Sequence, residues 1–216
     1  IADLDGNGFI DPGNFAVDDH GDLRIIGNQS PRYRYGVNLS ARWNGIGLSV
    51  FLQGVGARDW YPGSDAGMFW GKYGRPFFAL IPSIHNYTDD MYSAERNNWD
   101  TAYWPRMTTY QSNGTKNWTR LLEIPNTRYI QSAAYLRVKN IQLDYSFPKH
   151  ICSAIRLQGL KIYVNAENLF TFTPLHKYAP NFDPEGLSYD SDFASAADGY
   201  TYPILKSVTV GVNITF

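Results

Sequence analysis

From Lys206 to Phe216 the chain alternates without a break. Val208, Val210, Val212, Ile214 and Phe216 share one face of an extended backbone, and Ser207, Thr209, Gly211, Asn213 and Thr215 share the other. Such a strand needs an apolar medium on one side only, either a protein core or lipid. Tyr35, Val37, Leu39, Ala41 and Trp43 repeat the pattern against Arg34, Gly36, Asn38, Ser40 and Arg42. After Asn44-Gly45, a strong two-residue hairpin signal, it resumes with Ile46, Leu48, Val50 and Leu52 against Gly47, Ser49, Phe51 and Gln53. Leu160, Ile162, Val164 and Ala166 alternate with Lys161, Tyr163, Asn165 and Glu167. A further segment, from about Tyr135 to Phe147, is regular in its second half, where Ile141, Leu143, Tyr145 and Phe147 oppose Asn140, Gln142, Asp144 and Ser146. Leu136 and Val138 fall into its polar phase, so a bulge near Lys139 or Asn140 is expected to restore the register.

These patterns predict strands near 33–43, 46–55, 135–147, 158–168 and 206–216. Two residues join the first pair and roughly a dozen join the third to the fourth. About 80 separate the second from the third, and nearly 40 the fourth from the fifth. Antiparallel neighbours reverse direction, so the short turns gather at one end and the long loops at the other. Outer-membrane barrels are laid out in this way, with short periplasmic turns and long extracellular loops. A compact soluble domain seldom carries an unstructured loop of this length. The expected fold class is all-β: an antiparallel transmembrane β-barrel fragment of about five C-terminal strands. Extracellular loops are expected at 1–32, 56–134 and 169–205, and the C-terminus is expected on the periplasmic side. The smallest barrels need about eight strands, so the rest of the wall is expected upstream. The start at Ile1 reads as a cut. The alternative is a soluble β-sandwich that displays aromatic loops as a carbohydrate-binding module, because its strands alternate in the same way.

Composition narrows the function. No stretch approaches the roughly 20 apolar residues of a transmembrane helix. The mean hydropathy of −0.36 excludes a helical membrane protein but suits strands that are apolar only at every second position. A net charge of −1 with scattered basic residues leaves no footprint for nucleic acid. Cys152 is the single cysteine and has no partner for a disulfide or a paired metal site. His20, His85, His150 and His176 lack metal-ligand spacing, and there is no phosphate-cradling loop or nucleophile elbow. No enzyme is expected.

Several stretches resemble the SusC/RagA-like TonB-dependent transporters of Bacteroidota outer membranes. They are the Asp-rich run from Asp3 to Asp11, Ile25-Ile26-Gly27-Asn28, Pro31 leading into Tyr35-Gly36, Tyr135 to Leu143, Val164 to Phe170, and the end of the chain from Tyr202-Pro203. In order and spacing they are similar to the last five strands of that family. The resemblance implies a 22-stranded barrel in the cell outer membrane, plugged by an N-terminal domain and importing glycans or peptides with energy from TonB–ExbB–ExbD. It also implies a SusD-like surface lipoprotein as lid. Terminal Phe216 resembles the C-terminal aromatic read by the barrel-assembly machinery.

Two groups of loop residues carry chemistry. Asp3, Asp5, Asn7, Gly8 and Asp11 fall at positions 1, 3, 5, 6 and 9 of an EF-hand-type loop, with the Phe9 carbonyl at position 7. Hard oxygen donors at alternate positions suit Ca²⁺. Position 12 is Asn14 in place of the bidentate Glu, so Asp18, Asp19 or Asp22 would have to complete a strong site. The alternative is an Asx-rich turn satisfied by its own backbone. Trp60, Tyr61, Trp70, Trp99, Trp104 and Trp118 are concentrated in the loop at 56–134. Their flat faces could stack on sugars or meet a partner, or simply pack the loop. Arg34, Arg42, Lys161 and Glu167 are expected to line the barrel lumen, and Asp18-Asp19 and Asp89-Asp90 to be solvated loop charges.

Overall fold

The computed structural model describes residues 3–9, 11, 13–14, 16–61, 92–103, 125–180, 182–187 and 204–216. Among these the chain is almost wholly β. In order it forms β1 (Arg32–Trp43), β2 (Ile46–Ala57), the two-residue β3 (Asp59–Trp60) and β4 (Gln131–Ser132), and β5 (Tyr135–Ser146). A short helix α1 (Lys149–Ala154), β6 (Gly159–Phe172), a 3₁₀ turn (Pro174–Lys177) and β7 (Ser207–Thr215) follow. The chain divides into two units. One comprises residues 31–57, 134–173 and 203–216, and the other residues 1–30, 58–133 and 174–202.

The first unit is a single sheet in the order β1-β2-β5-β6-β7, every neighbouring pair antiparallel. The β1–β2 hairpin turns on Asn44 and Gly45, both at positive φ (47° and 86°), which a primed two-residue turn requires. Register is kept across the sheet by the expected bulge. Phe51 pairs with Asn140 but its neighbour Leu52 pairs with Val138, so Lys139 is the extra residue and Leu136 and Val138 return to the apolar face. β6 answers with its own irregularity: Asn140 faces Glu167 while Val138 faces Phe170, and Asn168 between them takes a φ of 53°. β6 therefore runs four residues beyond the expected 168 and carries Phe170 and Phe172 onto the apolar face.

That apolar face has no protein cover among the described residues. Val37, Leu48, Leu143, Val164, Val210 and Ile214 are each 41–71% exposed. A β-sandwich would lay a second sheet over them. The one other pairing among the described residues is the two-residue β3–β4 ladder. Aromatic side chains of the same face flank the aliphatic band. Tyr35, Phe170 and Phe172 lie toward the loop end, with Trp43, Tyr145, Phe147 and Phe216 at the turn end. From Tyr35 to Trp43 the strand climbs ~26 Å, close to the height of a lipid-facing band. No helix of the described residues is long and apolar enough to cross a membrane, which leaves strands unaffected. The molecule is thus a piece of β-barrel wall.

The second unit has a core of its own. Trp60, Tyr61, Tyr129, Ala133, Leu175, Ala179, Phe182 and Leu187 form one buried cluster, drawn from segments far apart in sequence. Arg58, itself buried, ties those segments together: its guanidinium donates to the carbonyls of Gln29 (3.2 Å), Pro184 (3.1 Å) and Leu187 (2.8 Å). Such carbonyls would otherwise be lost acceptors under a folded loop. The described residues of the segments expected as loops thus contribute to a packed core.

Candidate functional site

On the polar face of the sheet, which a barrel turns toward its lumen, charges are organised around Asp144. Its carboxylate is 3% exposed and is held by Arg42 at 3.2 Å and Lys161 at 3.1 Å. Arg42 lies on β1 and Asp144 on β5, with β2 between them. The bridge is closed because β2 presents Gly47 there: a Cβ at Gly47 would meet the Asp144 carboxylate at 2.5 Å. Toward the loop end Arg137, also buried, donates to Thr171 Oγ1 at 2.9 Å and lies over the Tyr135 ring. Glu167 accepts from the Ser207 hydroxyl at 3.1 Å. Arg42, Lys161 and Glu167 were legible as polar-phase residues, whereas Asp144 as the hub of the first two was not. Its signal was the glycine at the facing position of β2.

The Asp-rich loop is shaped by its own side chains. Asp3 accepts from Gly6 N (2.6 Å) and Gly8 N (2.9 Å), Asp5 from Asn7 N (3.0 Å), Asn7 from Phe9 N (2.7 Å) and Asp11 from Gly13 N (2.8 Å). Gly6 and Gly8 sit at φ 76° and 84°, which turns their amides onto Asp3. The Gly8 hydrogen bond above all, with that of Gly6, holds the Asp3 carboxyl below its ordinary value against the opposing effect of desolvation. Asp22 reaches back into this loop, accepting from Asp11 N at 2.9 Å and from Leu4 N. Carboxylate oxygens of Asp3, Asp5 and Asp22 come within 4.8 Å of one another.

The structure thus divides the sequence-derived set. Asp3 and Asp5 converge, and Asp22 is the third carboxylate. Asp11 spends one oxygen on the Gly13 turn, and its other approaches Asn7 Nδ2 at 3.4 Å. Asn14 stands against Asp19, through its side-chain amide and through its backbone N–H to the Asp19 carbonyl at 3.1 Å. The reason is that the chain bends at Gly13 and Gly21 instead of continuing as a twelve-residue loop, so position 12 never returns to the cluster.

The aromatic residues also separate. Trp60 and Tyr61 are 3% and 4% exposed, and Trp60 packs on Phe182 with ring centroids 5.3 Å apart. Of the two readings left open for them, packing of the loop is the one this structure displays. Trp99 is 72% exposed, on a short turn where Asn98 accepts from Ser93 N (2.9 Å) and its carbonyl from Ala102 N (2.8 Å). Trp70, Trp104 and Trp118 lie outside the described residues. Phe216 is 82% exposed at the turn end of the sheet. Beside Trp60, Tyr103 stacks on Tyr178 at 4.2 Å and meets Tyr129 edge-on at 5.7 Å.

Burial raises the phenol pKa values of Tyr61, Tyr103 and Tyr129 above the ordinary 10. A pKa raised on folding contributes stability that is complete below the unfolded value and is lost as pH rises through the folded one. The loop unit is therefore expected to hold below pH ~10 and to loosen above it. Phenolate absorbance should appear late and together with loss of loop structure. Simple titration at the free-tyrosine value would contradict the burial.

With this geometry in hand, comparison with known proteins is informative. No protein-family model matches the chain. TonB-dependent receptor P3 of Formosa agariphila is 27% identical over the whole chain, and TonB-dependent receptor P26 of the same organism is 22% identical over 99% of it. The resemblance to SusC/RagA-like TonB-dependent receptors holds. The chain spans about a fifth of the length of these relatives, 19% and 21%. The RagAB peptide transporter structure superposes on 90% of the chain with a TM-score of 0.54 at 18% identity, covering 18% of that protein. The RagAB peptide importer in its closed-closed state covers 97% with a TM-score of 0.51. The shared fold is that of a RagA-like barrel segment, and the relatives matched are named as receptors and transporters.

Proposed function

We propose that this chain is part of the wall of a TonB-dependent importer in a Gram-negative outer membrane. It would work with a SusD-like surface lipoprotein and draw energy from TonB–ExbB–ExbD through another part of the protein. The observation that carries the reading is the sheet itself: five antiparallel strands that, among the described residues, have two open edges, one apolar and uncovered face, and a polar face carrying paired charges. Similarity to TonB-dependent receptors along the whole length supports it. The cargo is an oligomeric nutrient, glycan or peptide. RagAB is named as a peptide transporter, and an exposed tryptophan serves either class.

Trp99 is the cargo or partner contact this reading selects. Trp99→Ala in the full-length protein is expected to weaken cargo capture about fivefold, the worth of one aromatic contact, without altering barrel stability. Uptake and equilibrium binding of glycan and peptide mixtures by wild type and variant check this. Unchanged binding of both classes removes Trp99 from the site, and uptake indifferent to the proton-motive force removes the importer.

Ca²⁺ is a second element of the proposal, supported by the convergence of Asp3, Asp5 and Asp22. Exposed carboxylates at this spacing suit a hard cation, and few protein ligands suit a weak site. Calorimetry of the full-length protein is expected to show Ca²⁺ heat at micromolar to millimolar metal. Asp22→Asn should weaken it at least tenfold. No heat at millimolar Ca²⁺ would leave the loop as a self-satisfied Asx turn.

A further inference from the structure

We propose that α1 and the apolar groove on the adjoining half of the sheet form a binding site for an anionic phospholipid of the periplasmic leaflet. This rests on the membrane orientation proposed above. The connection from Phe147 to Gly159 is long for a periplasmic turn, and it is built. Ile151 and Cys152 N–H groups both donate to the Pro148 carbonyl (3.1 and 3.2 Å), and Arg156 at φ 59° ends the helix. Cys152 is the anchor, 1% exposed, with its thiol toward the Phe147 carbonyl.

Anchoring one side leaves two isoleucines out. Ile151 and Ile155, one turn apart and so on the same face, are 39% and 53% exposed. Nothing in a water-facing turn calls for them. They add exposed aliphatic surface in the turn that follows the aromatic rim, where Tyr145 and Phe147 meet edge-on at 4.9 Å. Between Asp144 and Glu167 the sequence has no acidic residue, while Lys149, His150 and Arg156 are all exposed in the turn. Lys161, the other cation of this stretch, is spent on Asp144 on the opposite face. Basic and aliphatic side chains on one short helix at the rim of a lipid-facing wall match a phosphate headgroup above and acyl chains below. The same half of the sheet has a groove of about 340 Å³ lined by Ile46, Leu143, Tyr145, Ile162, Val164 and Val210 together with Asp144 and Tyr163, whose side chains belong to the polar phase; its exposed surface is apolar and sized for part of an acyl chain.

The test uses the full-length protein purified in a zwitterionic detergent. Retention of phosphatidylglycerol is measured against phosphatidylcholine by native mass spectrometry for wild type, Lys149→Gln/Arg156→Gln and Ile151→Ser/Ile155→Ser. Heat-modifiable mobility certifies that each barrel is closed. Wild type is expected to prefer phosphatidylglycerol. The charge variant should lose that preference roughly tenfold or more, and the isoleucine variant should retain less of both lipids. Equal retention of the two lipids by wild type, or a preference untouched in the charge variant, overturns the site. Orientation is checked separately with Ser153→Cys, an exposed position. Labelling by an impermeant maleimide only after the outer membrane is permeabilised supports the periplasmic turn. Labelling in intact cells overturns the orientation itself, and a protected cysteine without lipid preference overturns the lipid site alone.

Discussion

Trp60→Ala is expected to unfold the loop core, at a cost of about 3–5 kcal/mol, the range for removing a buried large aromatic side chain. The ring is 3% exposed, packs at a tilt on Phe182 and shares one buried cluster with Leu175, Ala179 and Leu187. Among the described residues this core consists of eight buried side chains, with the Arg58 carbonyl clamp beside it, and a loss of that size is a large fraction of a typical domain's stability. Hydrogen exchange on the full-length protein should show the amides of Tyr129, Ala133 and Tyr178 losing protection, and limited proteolysis should cut the loops. If those amides stay protected while cargo binding falls, the ring acts on cargo and the packing assignment is wrong. The contrast with Trp99 is the useful one: two tryptophans in one loop region, one expected to cost stability and the other affinity.

Gly54→Val is the second large effect. Gly54 on β2 pairs with Tyr35 on β1 and with Leu136, the neighbour of Tyr135, on β5. The Tyr35 phenol crosses the glycine to donate to the Tyr135 carbonyl at 3.2 Å. A Cβ at Gly54 would meet both that carbonyl and the phenol. Backbone cannot give way as a flexible side chain can, so the valine must break the hydrogen bond and part the strands. About 3 kcal/mol is expected, the upper part of the range for overpacking. Heat-modifiable mobility should appear at a lower temperature, and less protein should reach the membrane. Gly211 under the Tyr163 ring is the same device on the terminal strand: an aromatic covers a glycine and pins the register of β6 and β7. Wild-type mobility in Gly54→Val would show that Tyr35 swings clear and that the glycine is dispensable.

Strands were the most legible part of the chain, because an alternating pattern depends on nothing beyond neighbours two residues apart. The bulge was legible too, since Leu136 and Val138 break phase and only an inserted residue repairs it. The extension of β6 was hidden by Asn168, a polar residue at positive φ where the apolar phase of Leu160 to Ala166 calls for a greasy side chain; Phe170 and Phe172 resume that phase beyond it. The burial of Trp60 and Tyr61 depends on Leu175, Phe182 and Leu187, more than a hundred residues away, and no local pattern records such a contact. Asp144 was read as one more polar-phase residue, because the ion pairs that mark it cross two strand boundaries. The acidic loop was found by type but not by geometry. Spacing identified Asp3 and Asp5 and offered Asp18, Asp19 or Asp22 to complete the site; only the bend at Gly13 and Gly21 selects Asp22 among them.

The central claim is that this chain is wall, with its apolar face meant for lipid. Separation of the envelope of cells expressing the full-length protein, followed by gel mobility with and without heating, tests it most directly. The account predicts a protein found with the outer membrane, extracted only by detergent, and shifting in mobility on heating as closed β-barrels do. Recovery of the full-length protein in the detergent-free soluble fraction, with no heat-dependent shift, would contradict it.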